Sequence, residues 1–180
     1  MTTRACDGCH EFTFPKREAL MQKTVSEHTA SPLRDVSCSS CHRGHRFDVS
    51  RNVALLRAAI TMRVVRSKEG IVVDLRTNGV GHAMPTGDLF RRLRVVVRTN
   101  DGEDEVLLER RFDRTTGVPR EISDTRVFGE KRIELTGSWL SRAKRIDVEL
   151  RYERVAQTDH AERGHRESLF ATELLASDSL

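Results

Sequence analysis

Arg145-Ile146-Asp147-Val148-Glu149-Leu150-Arg151-Tyr152 alternates strictly between charged and apolar side chains. A period of two puts Ile146, Val148, Leu150 and Tyr152 on one face and the charges on the other, which describes a strand with one side buried and one side wet. Stretches of similar character flank it. Residues 71–75 (Ile-Val-Val-Asp-Leu) and 93–98 (Leu-Arg-Val-Val-Val-Arg) read as strands, and residues 105–112 and 131–135 as two more. Residues 60–65 can start the sheet. Asn100-Asp101-Gly102 is a hairpin turn, because Asn, Asp and Gly tolerate the backbone angles a tight reversal needs. Residues 167–176 fit strand or helix. Short strands separated by turn signals predict a mainly β fold, an antiparallel β-sandwich spanning residues 51–180.

Residues 1–50 differ. They are poor in aliphatic side chains and rich in polar, Cys and His residues, and cannot bury enough apolar surface to fold on side chains alone. Residues 17–29, set off by Pro15 and Pro32, read as a helix with Met21, Val25 and His28 on one face. Met21 and His28 are then about 10 Å apart along the axis. A second short helix is expected after Ser50, taken as its N-cap, through Val53-Ala54-Leu55-Leu56. It joins the two parts of the chain.

The polar segment carries Cys6-Asp7-Gly8-Cys9-His10 and Cys38-Ser39-Ser40-Cys41-His42. Each is C-x-x-C-H, the attachment pattern of a covalently bound c-type haem. Two thiols one short turn apart can form thioethers with the vinyl groups of the porphyrin, and the adjacent imidazole falls under the iron as proximal ligand. The two copies use all four cysteines of the chain, and both end in histidine. A zinc site built from two C-x-x-C halves is the main competing reading; it leaves the two histidines unexplained. On the haem reading, Cys6, Cys9, Cys38 and Cys41 hold two haem c groups and His10 and His42 are proximal ligands. The macrocycles supply the core that residues 1–50 lack, giving a short haem-binding segment of helices and loops ahead of the sandwich.

Between two predicted strands lies Asn78-Gly79-Val80-Gly81-His82-Ala83-Met84-Pro85-Thr86-Gly87-Asp88. Three glycines and a proline in one loop specify a tight backbone path, and the loop presents a histidine and a methionine, both able to ligate haem iron. Here the chain resembles the multihaem c-type cytochromes. Their C-terminal β-rich domain tends to carry a G-H-x-x-P-T-G turn followed by arginines and a strand, matched here by Gly81 to Gly87 and then Arg91-Arg92-Leu93. His45-Arg46-Phe47 and Asp124-Thr125-Arg126 look like further features of that group. Where members have Met-Pro after the second haem motif, this chain has Arg43-Gly44. The resemblance covers roughly residues 6–152 and implies a haem-bearing segment docked on a β-sandwich and serving electron transfer.

Distal ligands come next. His82 is the first candidate, because its loop looks built to project one side chain. His45 follows, for the haem at Cys6 and Cys9 or one held upstream, since it is too close to His42 to reach the far side of that haem. His28 is third. Met21, Met62 and Met84 read as core or contact residues, and His160 and His165 as solvent-exposed. Arg43, Arg46 and Arg91 are candidate partners for haem propionates. The formal charge of +4 comes from 31 Lys and Arg against 27 Asp and Glu spread along the chain, which does not point to nucleic acid. No apolar run approaches the ~20 residues of a membrane helix.

The leading expectation is an electron carrier, the C-terminal portion of a longer periplasmic or otherwise extracytoplasmic cytochrome. Its partners would be other haem domains of the same or another redox protein. The alternatives are part of a multihaem oxidoreductase acting on a small nitrogen or sulfur compound, or a zinc-binding module. No Ser-His-Asp pattern, phosphate-binding glycine loop or carboxylate pair stands out as a catalytic constellation.

Overall fold

The computed structural model describes residues 4–15, 18–42, 51–87, 89–113, 115–154 and 165–175. The N-terminal part runs α1 (Arg4–His10), β1 (Glu11–Thr13), β2 (Leu20–Lys23), α2 (Thr24–Thr29) and α3 (Cys38–Cys41). Then come α4 (Val53–Ala59), β3 (Ile60–Arg66), β4 (Gly70–Thr77), β5 (Arg91–Thr99), β6 (Gly102–Leu108), β7 (Arg110–Asp113), β8 (Arg120–Asp124), β9 (Glu130–Thr136), α5 (Ser138–Ser141), β10 (Arg145–Arg154) and β11 (His165–Leu175).

Two antiparallel sheets share one core. The larger has strand order β11-β10-β5-β6, the smaller β3-β4-β9. The alternating stretch that opened the reading is β10, central in its sheet, with Leu150 opposite Val95 on one side and Phe170 on the other. Ile146, Val148, Leu150 and Tyr152 are all buried and meet Ile71, Val73, Leu75, Ile133 and Leu135 of the smaller sheet. The mainly β, antiparallel architecture is therefore as the sequence predicts. Of residues 167–176, open between helix and strand, 167–175 lie in β11, where pairing with β10 settles the choice, and 176 is outside the described residues. The Asn100–Gly102 turn joins β5 to β6, with Thr99 paired to Gly102.

Three local expectations are corrected. Residues 105–112 are not one strand: the chain leaves the large sheet after Leu108, and β7 pairs with β8 in a separate hairpin. The helix after residue 50 is capped by Asn52, whose side chain accepts from the Leu55 amide at 3.2 Å, rather than by Ser50, which lies outside the described residues. Residues 17–29 are not one helix. Leu20–Lys23 pairs with Glu11–Thr13, and the helix starts only at Thr24. The Glu11 carboxylate sets that start, because it accepts from the Val25 and Ser26 amides at 3.1 Å each, serving helix-end donors that have no partner inside the helix. Met21 and His28 thus belong to different elements and share no helical face. The N-terminal segment contains a hairpin as well as helices and loops.

The core argument is directly measurable. Leu150→Ala is expected to destabilise the chain by about 2–5 kcal/mol, since Leu150 is fully buried between two sheets. Arg145→Ala, on the wet face of the same strand, should leave the urea midpoint near the wild-type value.

Candidate functional site

The two C-x-x-C-H motifs form α1 and α3. Within α1, Cys6, Cys9 and His10 stand at i, i+3 and i+4, so one helical face presents both thiols and the imidazole. In α3, Cys38 and Cys41 repeat the spacing, and His42 caps the helix with its amide donating to the Cys38 carbonyl at 2.9 Å. All four cysteines are unbridged. Cys6 and Cys38 share a hydrogen bond; burial, then that bond and the charge of Cys38, push the Cys6 thiol up. The two motifs, 32 positions apart in sequence, thus sit side by side through their first cysteines. The Gln22 side-chain amide nitrogen lies 3.1 Å from His10 Nδ1, donating to it and orienting that ring.

The β-domain approaches from the other side. The loop between β4 and β5 projects His82, whose Nδ1–H donates to the Ala83 carbonyl at 3.0 Å. This bond selects the tautomer with the Nε2 lone pair available, the arrangement metal-ligating histidines use. Burial holds the His82 pKa below its ordinary value, partly offset by the Ala83 hydrogen bond and by Glu27. The His82 and His42 ring centroids are 6.3 Å apart with planes inclined by 14°. Metal–imidazole bonds are about 2.0–2.1 Å, and a ring nitrogen lies about 1.1 Å from its own centroid. Two imidazoles on opposite sides of one metal therefore have centroids about 6.2–6.4 Å apart. The observed separation matches that length, with the two rings stacked near parallel, so His42 and His82 are the residues that would hold a metal between them.

His28, at the end of α2, packs its ring on the same loop. A Cβ on Gly81 would lie 2.7 Å from His28 Cδ2, so only glycine admits this approach. His28 Nδ1 is buried and has no hydrogen-bond partner among the described residues, a cost that a ligand would remove. His45, Arg43, Arg46 and His160 lie outside the described residues, as does the side chain of His165. Arg91, a propionate candidate, donates to the Thr86 carbonyl at 3.3 Å and lies against Gly87. Met84 is buried and bridged through its backbone to Val127 (2.7 and 3.0 Å), and Met62 packs on the core.

What brings these parts together is a chain of alternating charges, most of which no sequence pattern marks. Arg110, 2 % exposed, donates to the Leu20 and Met21 carbonyls at 2.7 and 2.9 Å and pairs with Glu121 at 2.8 Å. Lys23 lies 2.9 Å from both Glu121 and Asp124. Asp124 binds Arg126 at 2.8 and 2.9 Å, and Arg126 pairs with Glu27. Burial alone would push the Asp124 carboxyl up, but Arg126 and then Lys23 hold it well below the usual carboxylate range. Phe14 meets Phe112 edge-on at 5.2 Å beside this network. Leu20, Met21, Lys23 and Glu27 belong to the N-terminal part; Arg110, Glu121, Asp124 and Arg126 belong to β7, β8 and the turn after it. Only the Asp124-Thr125-Arg126 stretch carried any mark in sequence. Glu27 carried none, because one acidic residue on a short polar helix looks like any solvated charge.

Among the described residues, no three His, Cys, Asp or Glu side chains are grouped to hold a bare metal ion. A haem needs only two protein ligands, since its porphyrin supplies the other four. Compared with family models, curated proteins and solved structures, the chain matches none.

Both pH-sensitive parts act in the same direction. His82 and Asp124 have folded pKa values below their unfolded ones, so each contributes stability above its unfolded pKa and loses it as pH falls through the folded value. Amide protection of residues 20–29, corrected for intrinsic exchange, is expected to decline below about pH 6.5 and again below about pH 4. Protection unchanged down to pH 3 would contradict this.

Proposed function

We propose that this chain is an electron-transfer module carrying two covalently attached haem c groups, one on Cys6, Cys9 and His10 and one on Cys38, Cys41 and His42. His82 is the distal ligand of the second. The observation that carries the reading is the 6.3 Å separation of the His42 and His82 rings, with His82 Nδ1–H bonded so that Nε2 takes the metal. His28 Nδ1, buried beside the same loop and without a partner among the described residues, adds a second nitrogen available to a ligand. Bis-histidine ligation fills all six iron positions, so such a haem passes electrons without binding substrate. Contact between Cys6 and Cys38 would place the two attachment sites next to one another. The reading carries the further proposals that the protein works outside the cytoplasm, where haem c is attached, and that its partners are other haem-bearing domains.

Protein from a host able to attach haem c is expected to give a c-type pyridine haemochrome with two haems per chain. A chain with no covalent haem and stoichiometric zinc would overturn the reading. In the holoprotein, His82→Ala should convert one low-spin ferric signal to high-spin in electron paramagnetic resonance. Two unchanged low-spin signals would remove His82 from the ligand set.

A further inference from the structure

Glu27 is a buried carboxylate with several partners, and most of them lie on the His82 turn. It is 8 % exposed. Its Oε2 accepts from the Ala83 amide at 3.1 Å and from the Thr86 hydroxyl at 2.8 Å, and its Oε1 pairs with Arg126. Arg126 in turn donates to the Pro85 carbonyl at 3.0 Å. The Ala83 carbonyl holds His82 Nδ1–H, so the residue that fixes the imidazole is itself held, through its amide, by Glu27. The Thr86 hydroxyl also meets Thr24 Oγ1 at 2.9 Å, at the other end of α2. The turn is thus gripped from the N-terminal segment, one residue from His28.

Resting on the haem reading above, we infer that Glu27 is a positioning residue for His82. It does not touch the iron. It makes distal ligation depend on docking of the segment that carries both haem motifs, so an undocked segment has no outside ligand. Two carboxylate oxygens serve three donors here. A glutamine of the same shape has one acceptor oxygen and cannot serve both the turn and Arg126. It also removes a buried negative charge near the iron, leaving Arg126 less well balanced and favouring the reduced state.

The test uses holoprotein with both haems attached, the wild-type haemochrome being measured first. Wild-type protein without covalent haem refutes the cytochrome reading itself. With haem present, Glu27→Gln is expected to keep two haems per chain yet bind cyanide at one ferric haem about tenfold faster or more, as expected for losing a charge-assisted hydrogen bond that holds the ligand in place. The midpoint potential of that haem should rise while the other is unchanged, and Glu27→Asp should restore part of the wild-type behaviour. Glu121→Gln, which weakens docking without touching the turn, serves as the comparison. Equal cyanide acceleration in Glu121→Gln would reduce Glu27 to a docking contact and overturn the inference, as would wild-type cyanide rates and potentials in Glu27→Gln. If Glu27→Gln fails to mature, Thr86→Val, which removes one of the three donors, decides: a smaller acceleration in the same haem supports the inference and none refutes it.

Discussion

The Glu27–Arg126 ion pair is the contact on which the arrangement of the candidate site depends. Both side chains are almost fully removed from water, and such a pair offers little net stability over an apolar one because desolvation consumes most of the attraction. Its importance lies in what separation would cost. Pulling α2 from the β-domain would strand charges on both sides, and Arg126 would lose Glu27 while still holding Asp124 and the Pro85 carbonyl. The network works as a register device: it accepts one docked geometry and penalises its neighbours.

That geometry has a clear division of labour. The sandwich supplies rigidity, through two sheets closing over a core in which Ile71, Leu93, Val95, Ile146 and Leu150 are wholly buried. Upon it sits the turn of residues 81–87, tied on one side to the β8–β9 connection through Met84–Val127 and on the other to α2 through Glu27. The N-terminal part has few apolar side chains of its own and takes partners from the β7–β8 hairpin: Phe14 against Phe112, and the Leu20 and Met21 carbonyls on Arg110.

Much of the fold was legible because burial on one face of a strand forces a period of two, in which β9 and β10 are written, while β4 and β5 carry short β-branched runs, Ile71–Val73 and Val95–Val97, that are buried on both faces. The misreadings fall where periodicity carries no information. Residues 17–29 contain helix-compatible spacing, yet pairing of β2 with β1 and capping by Glu11 win, both being contacts with residues seven or more positions away. The single strand expected over residues 105–112 breaks because Arg110 is drawn out of the large sheet to bind β2 carbonyls and Glu121, a demand no local pattern expresses.

The sequence by itself determined the mainly β class, the central strand with its buried face, and the chemistry available to the two cysteine motifs, because each depends on residue identity at short, regular spacing. Only the tertiary structure decided that the His42 and His82 rings lie 6.3 Å apart, that His28 packs on Gly81, and that an unmarked glutamate holds the turn. The physical reason is desolvation. A charge such as Glu27 acquires its role only when folding removes water from it, and which partners then replace that water depends on contacts 56 to 99 residues away.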